Sequence, residues 1–192
     1  MVGEAQALRR TALLGAFVVA SWAGSSGAQP YSIVGQCRAG LPNGAYELRM
    51  ADGRLRIAGA FAQGKKTGTF IFWTPGGARL AVIPYDEDVK TGTVALWYVA
   101  SAEDTERSRK LEAPYVDDRL HGVRRSWYAN GTLSTELHYE HGVLTEVRAW
   151  SDTNTPLPDN TARAIAMRDV EIEAQAYATL EAIVRDNLPR CE

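Results

Sequence analysis

The chain has 192 residues, with 21 Lys+Arg against 23 Asp+Glu, 45% apolar residues and 2 cysteines. A formal charge of -2 excludes a strongly basic nucleic-acid binder that works by neutralising phosphates. The apolar and charged fractions exclude a disordered tail or a collagen-like fibre, and two thiols exclude a disulfide-dense miniprotein or a four-thiolate zinc site.

Residues 1–28 read as a secretory signal peptide. Arg9 and Arg10 precede the apolar run Thr11 to Ala23, and Ser26 and Ala28 supply the small residues a signal peptidase needs before Gln29. The run falls short of the ~20 residues a membrane span requires. An uncut N-terminal anchor is the weaker alternative. No later run is long enough to span a bilayer, so the expectation is a periplasmic or secreted chain without a transmembrane segment once the signal is removed. In an oxidising compartment, Cys37 and Cys191 are expected to form a disulfide.

From Gly44 onward the chain repeats itself. Lys66-Thr67-Gly68-Thr69 recurs as Lys90-Thr91-Gly92-Thr93, and Gly44, Gly68, Gly92 and Gly122 mark unit starts spaced by 24, 24 and 30 residues. The longer third unit implies a six-residue insertion around Ala102 to Lys110, read as a solvated loop. Trp73, Trp97 and Trp127 share one offset, with Arg49 in the first unit, and Trp150 suggests a truncated fifth unit. Gly53, Gly77 and Gly131 share another. Phe61, Tyr85, Tyr115 and Tyr139 form an aromatic column once the insertion is allowed for.

Each unit reads as a β-hairpin. Asp52-Gly53, Gly76-Gly77 and Asn130-Gly131 are turn signals, because such turns need positive φ. Alternation follows: Leu55, Ile57, Gly59 and Phe61 are expected on one face against Arg54 and Arg56, and Leu133, Thr135, Leu137 and Tyr139 against Ser134, Glu136 and His138. Successive hairpins would then extend one antiparallel sheet.

The segment Gly122 to Gly142, with Trp127-Tyr128, Asn130-Gly131, Leu133, Glu136 and Tyr139-x-x-Gly142, resembles the variant MORN repeat (membrane occupation and recognition nexus). The resemblance covers about residues 44–150. It implies a curved sheet of stacked hairpins and a scaffold or antitoxin-like interaction role, and it brings no catalytic residue set.

After Thr155-Pro-Leu-Pro158 the pattern changes. Asp159 or Asn160 can cap a helix that runs without Gly or Pro until Pro189. Ala166, Val170, Ala174, Tyr177, Leu180, Val184 and Leu188 make its apolar stripe, opposite a polar face with Glu171, Glu173 and Glu181. The organisation expected is therefore a signal (1–28), a mainly β hairpin domain (29–158) and a C-terminal amphipathic helix and tail (159–192) packed on the sheet.

Chemistry-bearing motifs are sparse. His138 and His141 stand three apart, which in a strand points them to opposite faces, so no metal site is expected. Lys-Thr-Gly occurs twice, but no Ser-x-x-Lys accompanies it. No cofactor fingerprint is present. The sequence thus points to a non-catalytic binding or scaffold module for an unknown protein or envelope component, with Trp73, Trp97, Trp127, Trp150 and Tyr128 as candidate binding residues. The alternatives are an envelope enzyme with an unrecognised site and an immunity-like partner of a toxin. Open sheet edges also allow self-association.

Overall fold

The computed structural model describes residues 31–99 and 109–192. The expected signal peptide and most of the insertion lie outside the described residues.

The chain is mainly β, as expected: one antiparallel sheet with a single helix packed on it. Its strands are β1 (Tyr31–Arg38), β2 (Leu41–Met50), β3 (Leu55–Ala62), β4 (Lys65–Trp73), β5 (Arg79–Asp86), β6 (Val89–Lys90), β7 (Gly92–Trp97), β8 (Arg109–Val116), β9 (Arg119–Leu120), β10 (Gly122–Trp127), β11 (Leu133–Glu140) and β12 (Val143–Ala149). Neighbours in the sheet follow chain order, with β6 and β9 as short extensions paired to β5 and β8. The helix α1 (Asp159–Arg185) follows.

The register explains the glycine and aromatic columns. Gly44 pairs with Phe61, Gly68 with Tyr85, Gly92 with Tyr115 and Gly122 with Tyr139. The four glycines have φ between +67° and +115°, where a Cβ is strained. The aromatic rings face the helix side of the sheet, in the core or packed against it. Phe61, Tyr85 and Tyr139 are buried and Tyr115 is half-buried. Consecutive hairpins are also tied at their tips: the Lys66 and Lys90 amides donate to Asp88 Oδ1 (2.8 Å) and Asp118 Oδ1 (3.0 Å). Gly53, Gly77 and Gly131 take positive φ in the turns at the other end.

The alternation is broken once in each hairpin. Leu48 pairs with Ile57 but Arg49 with Leu55, leaving Arg56 as an extra residue; Leu80, Lys110 and Ser134 occupy the same place in β5, β8 and β11. A bulge of this kind sets two residues against one and resets the faces. Leu55 and Leu133, expected on the inner face, instead pair with Arg49 and Trp127 on the outer one. Arg109 and Lys110, expected in the insertion loop, open β8.

The core lies between the inner face and α1. Tyr46, Leu48, Ile57, Phe70, Phe72, Ile83, Val94, Leu96 and Leu111 meet Tyr177, Leu180 and Val184. The Phe70 ring packs edge-on against Phe61 and Tyr85 at 5.5 Å, and it fills the space a Cβ at Gly59 would need. Three expectations for the helix are corrected. Its N-cap is Pro158, with no side-chain cap bond. It ends at Arg185, before Pro189. Its buried stripe is Ala162, Ala166, Glu173, Tyr177, Leu180 and Val184, so Val170, Ala174 and Leu188 are exposed and Glu173 turns inward. The physical reason for the last is an arginine waiting in the sheet, described below.

Cys37 and Cys191 form a disulfide, with Cα atoms 5.6 Å apart. It fastens the tail over β1, where Pro189 lies against Gly35 and Tyr46 donates its hydroxyl to the Asn187 carbonyl (2.9 Å). No helix among the described residues is long and apolar enough to cross a membrane.

Candidate functional site

Two places collect the side chains able to recognise something: the outer face of the sheet and the seam between the inner face and α1.

On the outer face the bulges align a row. Trp73 pairs with Arg79, Trp97 with Arg109 and Trp127 with Leu133. The guanidinium groups of Arg79 and Arg109 lie 5.3 and 5.6 Å from the Trp97 ring centroid. Trp97 is therefore sandwiched and only 5% exposed, while Trp73 and Trp127 are half-buried. A cation over an indole face is held by the ring quadrupole, so Trp97 is clamped between two cations at the centre of the row. Arg109 is also paired with Glu112. Beyond the row, Arg125, Glu136, Arg148 and Glu146 form an ion-pair lattice across β10, β11 and β12. Burial pushes the Glu136 carboxyl up, but the hydrogen bond (2.9 Å) and charge of Arg125 outweigh it and hold the group below the usual range. No described element packs on this face.

Trp150 and Tyr128 stand apart from the row. Trp150 forms a bridge with Pro156, and Tyr128 donates its hydroxyl to the Trp150 carbonyl (2.8 Å). Together they close the corner where the chain leaves β12 for the helix.

At the seam, unit four breaks the apolar core. Tyr46, Phe70 and Val94 stand two residues after their glycines; the fourth such residue is Arg124, which has no exposed surface. Its guanidinium grips both carboxylate oxygens of Glu173 on α1 and donates to Thr135 Oγ1 (3.2 Å). Thr135 shares a hydrogen with Ser126 at 2.6 Å. Burial pushes the Glu173 carboxyl up, and Arg124 pulls it back part of the way. A buried charge survives only if paired and hydrogen-bonded, and every part of that requirement is met here.

Glu173 is also a wall shared by two concavities. One, of about 220 Å³, is lined by Tyr98, Lys110, Ser126, Tyr128, Ser134 and Asp169 among others. The second, of about 300 Å³, opens on its other side between Lys90, Tyr115, Tyr177 and Glu181.

All three histidines line a third concavity, of about 460 Å³, near the tips of β10 and β11. His121 Nδ1 accepts a long bond from the His141 amide (3.4 Å), the position that Asn43 Oδ1 fills for Gln63 in the first hairpin. The rings of His121 and His141 lie 4.8 Å apart, whereas His138 turns to Glu136 (3.5 Å). Among the described residues no group of three His, Cys, Asp or Glu side chains is placed to hold a metal ion.

The Arg124–Glu173 pair escaped the reading of the sequence, although two signals pointed to it. Arg124 occupies a column otherwise filled by Tyr, Phe and Val, and Glu173 lies four residues before Tyr177 on the buried stripe. The family scan and the search of curated proteins find no match to this chain.

Proposed function

We propose that this protein is an exported, non-catalytic binding module of the variant MORN-repeat type, periplasmic or secreted, whose outer sheet face engages a protein or envelope component. The observation that carries the reading is the Trp73–Arg79–Trp97–Arg109–Trp127 row on a face that no described element covers. Rigid aromatic and arginine side chains lose little entropy on binding and dominate recognition surfaces. The four recurrent Gly–aromatic pairings support a tandem architecture. The disulfide supports an oxidising compartment.

The test is co-purification from a periplasmic extract on the immobilised full chain, in parallel with R79A, W73A and an inner-seam control, K90M. A partner retained by the parent and by K90M but lost by R79A and W73A supports the reading. Retention by all four, or by none, refutes it.

A further inference from the structure

The two edges of the sheet are guarded differently. β12 carries Glu146 and Arg148, and the chain that follows turns back along its end: Leu157 donates its amide to the Ala149 carbonyl (2.9 Å), and Trp150 bridges Pro156. Charges and a covering segment are ordinary means of keeping a strand edge from pairing with another chain. β1 has neither. Between Tyr31 and Cys37 it holds no charged residue and no proline. Ile33 on the helix face and Val34 on the outer face are 41% and 51% exposed. The C-terminal tail crosses the inner face at Gly35, but among the described residues no backbone group bonds to the free side of β1.

The direction of the free groups follows from the ladder. Met50 donates its amide to the Arg54 carbonyl, and Gly64 donates to the Pro42 carbonyl, so the even-numbered residues of β2 bond toward β3. Successive residues of an antiparallel strand turn their N–H and C=O to opposite sides, so Glu47 and Arg49 bond toward β1. Their partners there are Val34 and Ser32. Tyr31, Ile33 and Gly35 therefore point their amides and carbonyls outward, where the fold gives them nothing to bond.

We propose that β1 pairs edge to edge with β1 of a second copy, antiparallel about a two-fold axis through Ile33, so that one sheet runs through both chains. The choice of a second copy rests on symmetry. Antiparallel pairing offers each strand the same outward groups it presents, so this edge is its own complement. With Ile33 opposite Ile33, Tyr31 of each copy meets Gly35 of the other, and every outward group is bonded. An aromatic paired with a glycine repeats what the sheet already does at Gly35–Tyr46, Gly44–Phe61 and Gly68–Tyr85. Ser32 and Val34 fall opposite each other on the outer face, so no like charges meet. Both helices stay on one side. The contact does not involve the Trp–Arg row, so it stands or falls independently of that surface.

The experiment is sedimentation of the purified full chain from micromolar to millimolar concentration, the range expected of a small interface. The expected result is a monomer–dimer equilibrium and nothing larger. Ile33→Pro should shift it toward monomer by roughly ten-fold or more, because proline removes an outward amide that β2 does not use. Ile33→Lys should do the same by setting two cations across the axis. Val143→Lys, at the exposed start of β12, should leave the equilibrium unchanged. Amide hydrogen exchange reads the pairing directly. In dilute protein Ser32 and Val34 should be protected while Ile33 and Gly35 exchange freely; in concentrated protein all four should be protected. The proposal is overturned by a chain that stays monomeric throughout, by dimers that survive both Ile33 variants, or by dimers lost in Val143→Lys. Species that keep growing with concentration would mean head-to-tail pairing of β1 with β12 and overturn it as well. Protection of the Ile33 amide in dilute protein would show an edge already filled, and free exchange in the dimer would show a contact elsewhere; either result overturns it. If neither Ile33 variant folds, the exchange pattern of the parent decides.

Discussion

Glu173 and Arg124 offer the sharpest test of the fold. Truncating Glu173 to Leu leaves a guanidinium with no exposed surface facing Thr135 alone. Breaking one side of a buried pair costs about 3–5 kcal/mol, because the remaining charge keeps its desolvation penalty and loses its counter-charge. For a domain of this size that corresponds to a melting temperature lower by roughly 6–20 °C. Arg124→Met should cost a similar amount, since it strands a buried carboxylate. The double variant Arg124→Met/Glu173→Leu should recover most of the loss, because matched apolar replacement of such a pair is often neutral or stabilising by ~1–4 kcal/mol. The structure supports that recovery: the equivalent positions in the other hairpins already hold Tyr46, Phe70 and Val94 in the same core. The assay is thermal and urea denaturation of the four proteins as a double-mutant cycle, read by circular dichroism. The reasoning is refuted if Glu173→Leu costs less than about 1 kcal/mol, the range of exposed ion pairs, or if the double variant is as unstable as the two singles summed.

Replacing Cys37 and Cys191 by Ser should lower stability by ~2–4 kcal/mol, with loop-closure entropy setting an upper figure of roughly 5 kcal/mol for a bridge of this span. The bridge closes 154 residues, and urea midpoints of the parent and variant, each without reductant, measure the loss. Trp97→Ala should cost ~3–5 kcal/mol, as for a buried aromatic, while Trp73→Ala, half-buried, costs less; an equal loss in both would contradict the sandwich. Alkaline titration should find tyrosines that ionise late: burial holds the Tyr46 hydroxyl at about 12 instead of 10.0, and burial pushes Tyr85 and Tyr177 higher. The folded state then keeps protons that the unfolded chain releases above pH 10, so stability falls as pH rises, by up to ten-fold in the folding constant per pH unit for each such tyrosine. Absorbance at 295 nm and circular dichroism should change together. Gly92→Ala should destabilise by ~1–3 kcal/mol, since φ is +115° there and the new Cβ would stand 3.0 Å from Pro84; a thermal melt checks it.

The β character, the hairpin turns and the aromatic column were legible in the sequence because they are local or periodic. A turn at Asn130-Gly131 needs positive φ whatever lies around it, and an aromatic residue recurs 17 residues after the unit glycine in three of the four hairpins, the fourth being lengthened by the insertion. The disulfide was legible from the even cysteine count together with the expected, oxidising compartment. The bulges were not. Leu55 and Leu133 continue a period of two on paper, and only the pairing of Arg49 and Trp127 across the strand shows that one extra residue has turned them to the other face. Nor was the roll of the helix. Val170 and Ala174 are as apolar as the residues that replaced them inward, so hydropathy alone favours burying them. The orientation was settled by Arg124, forty-nine residues earlier, whose buried charge requires Glu173 opposite it.

Residue order alone therefore determined which segments are strands, where they turn and which two thiols join, because backbone preference and spacing act within a few residues or around a repeat. Only the tertiary structure decided which face each side chain serves. That choice depends on charges and rings brought together from distant segments: the indole of Trp97 between two arginines, and the buried guanidinium of Arg124 against Glu173. Such partners meet only after the sheet has formed and the helix has settled on it.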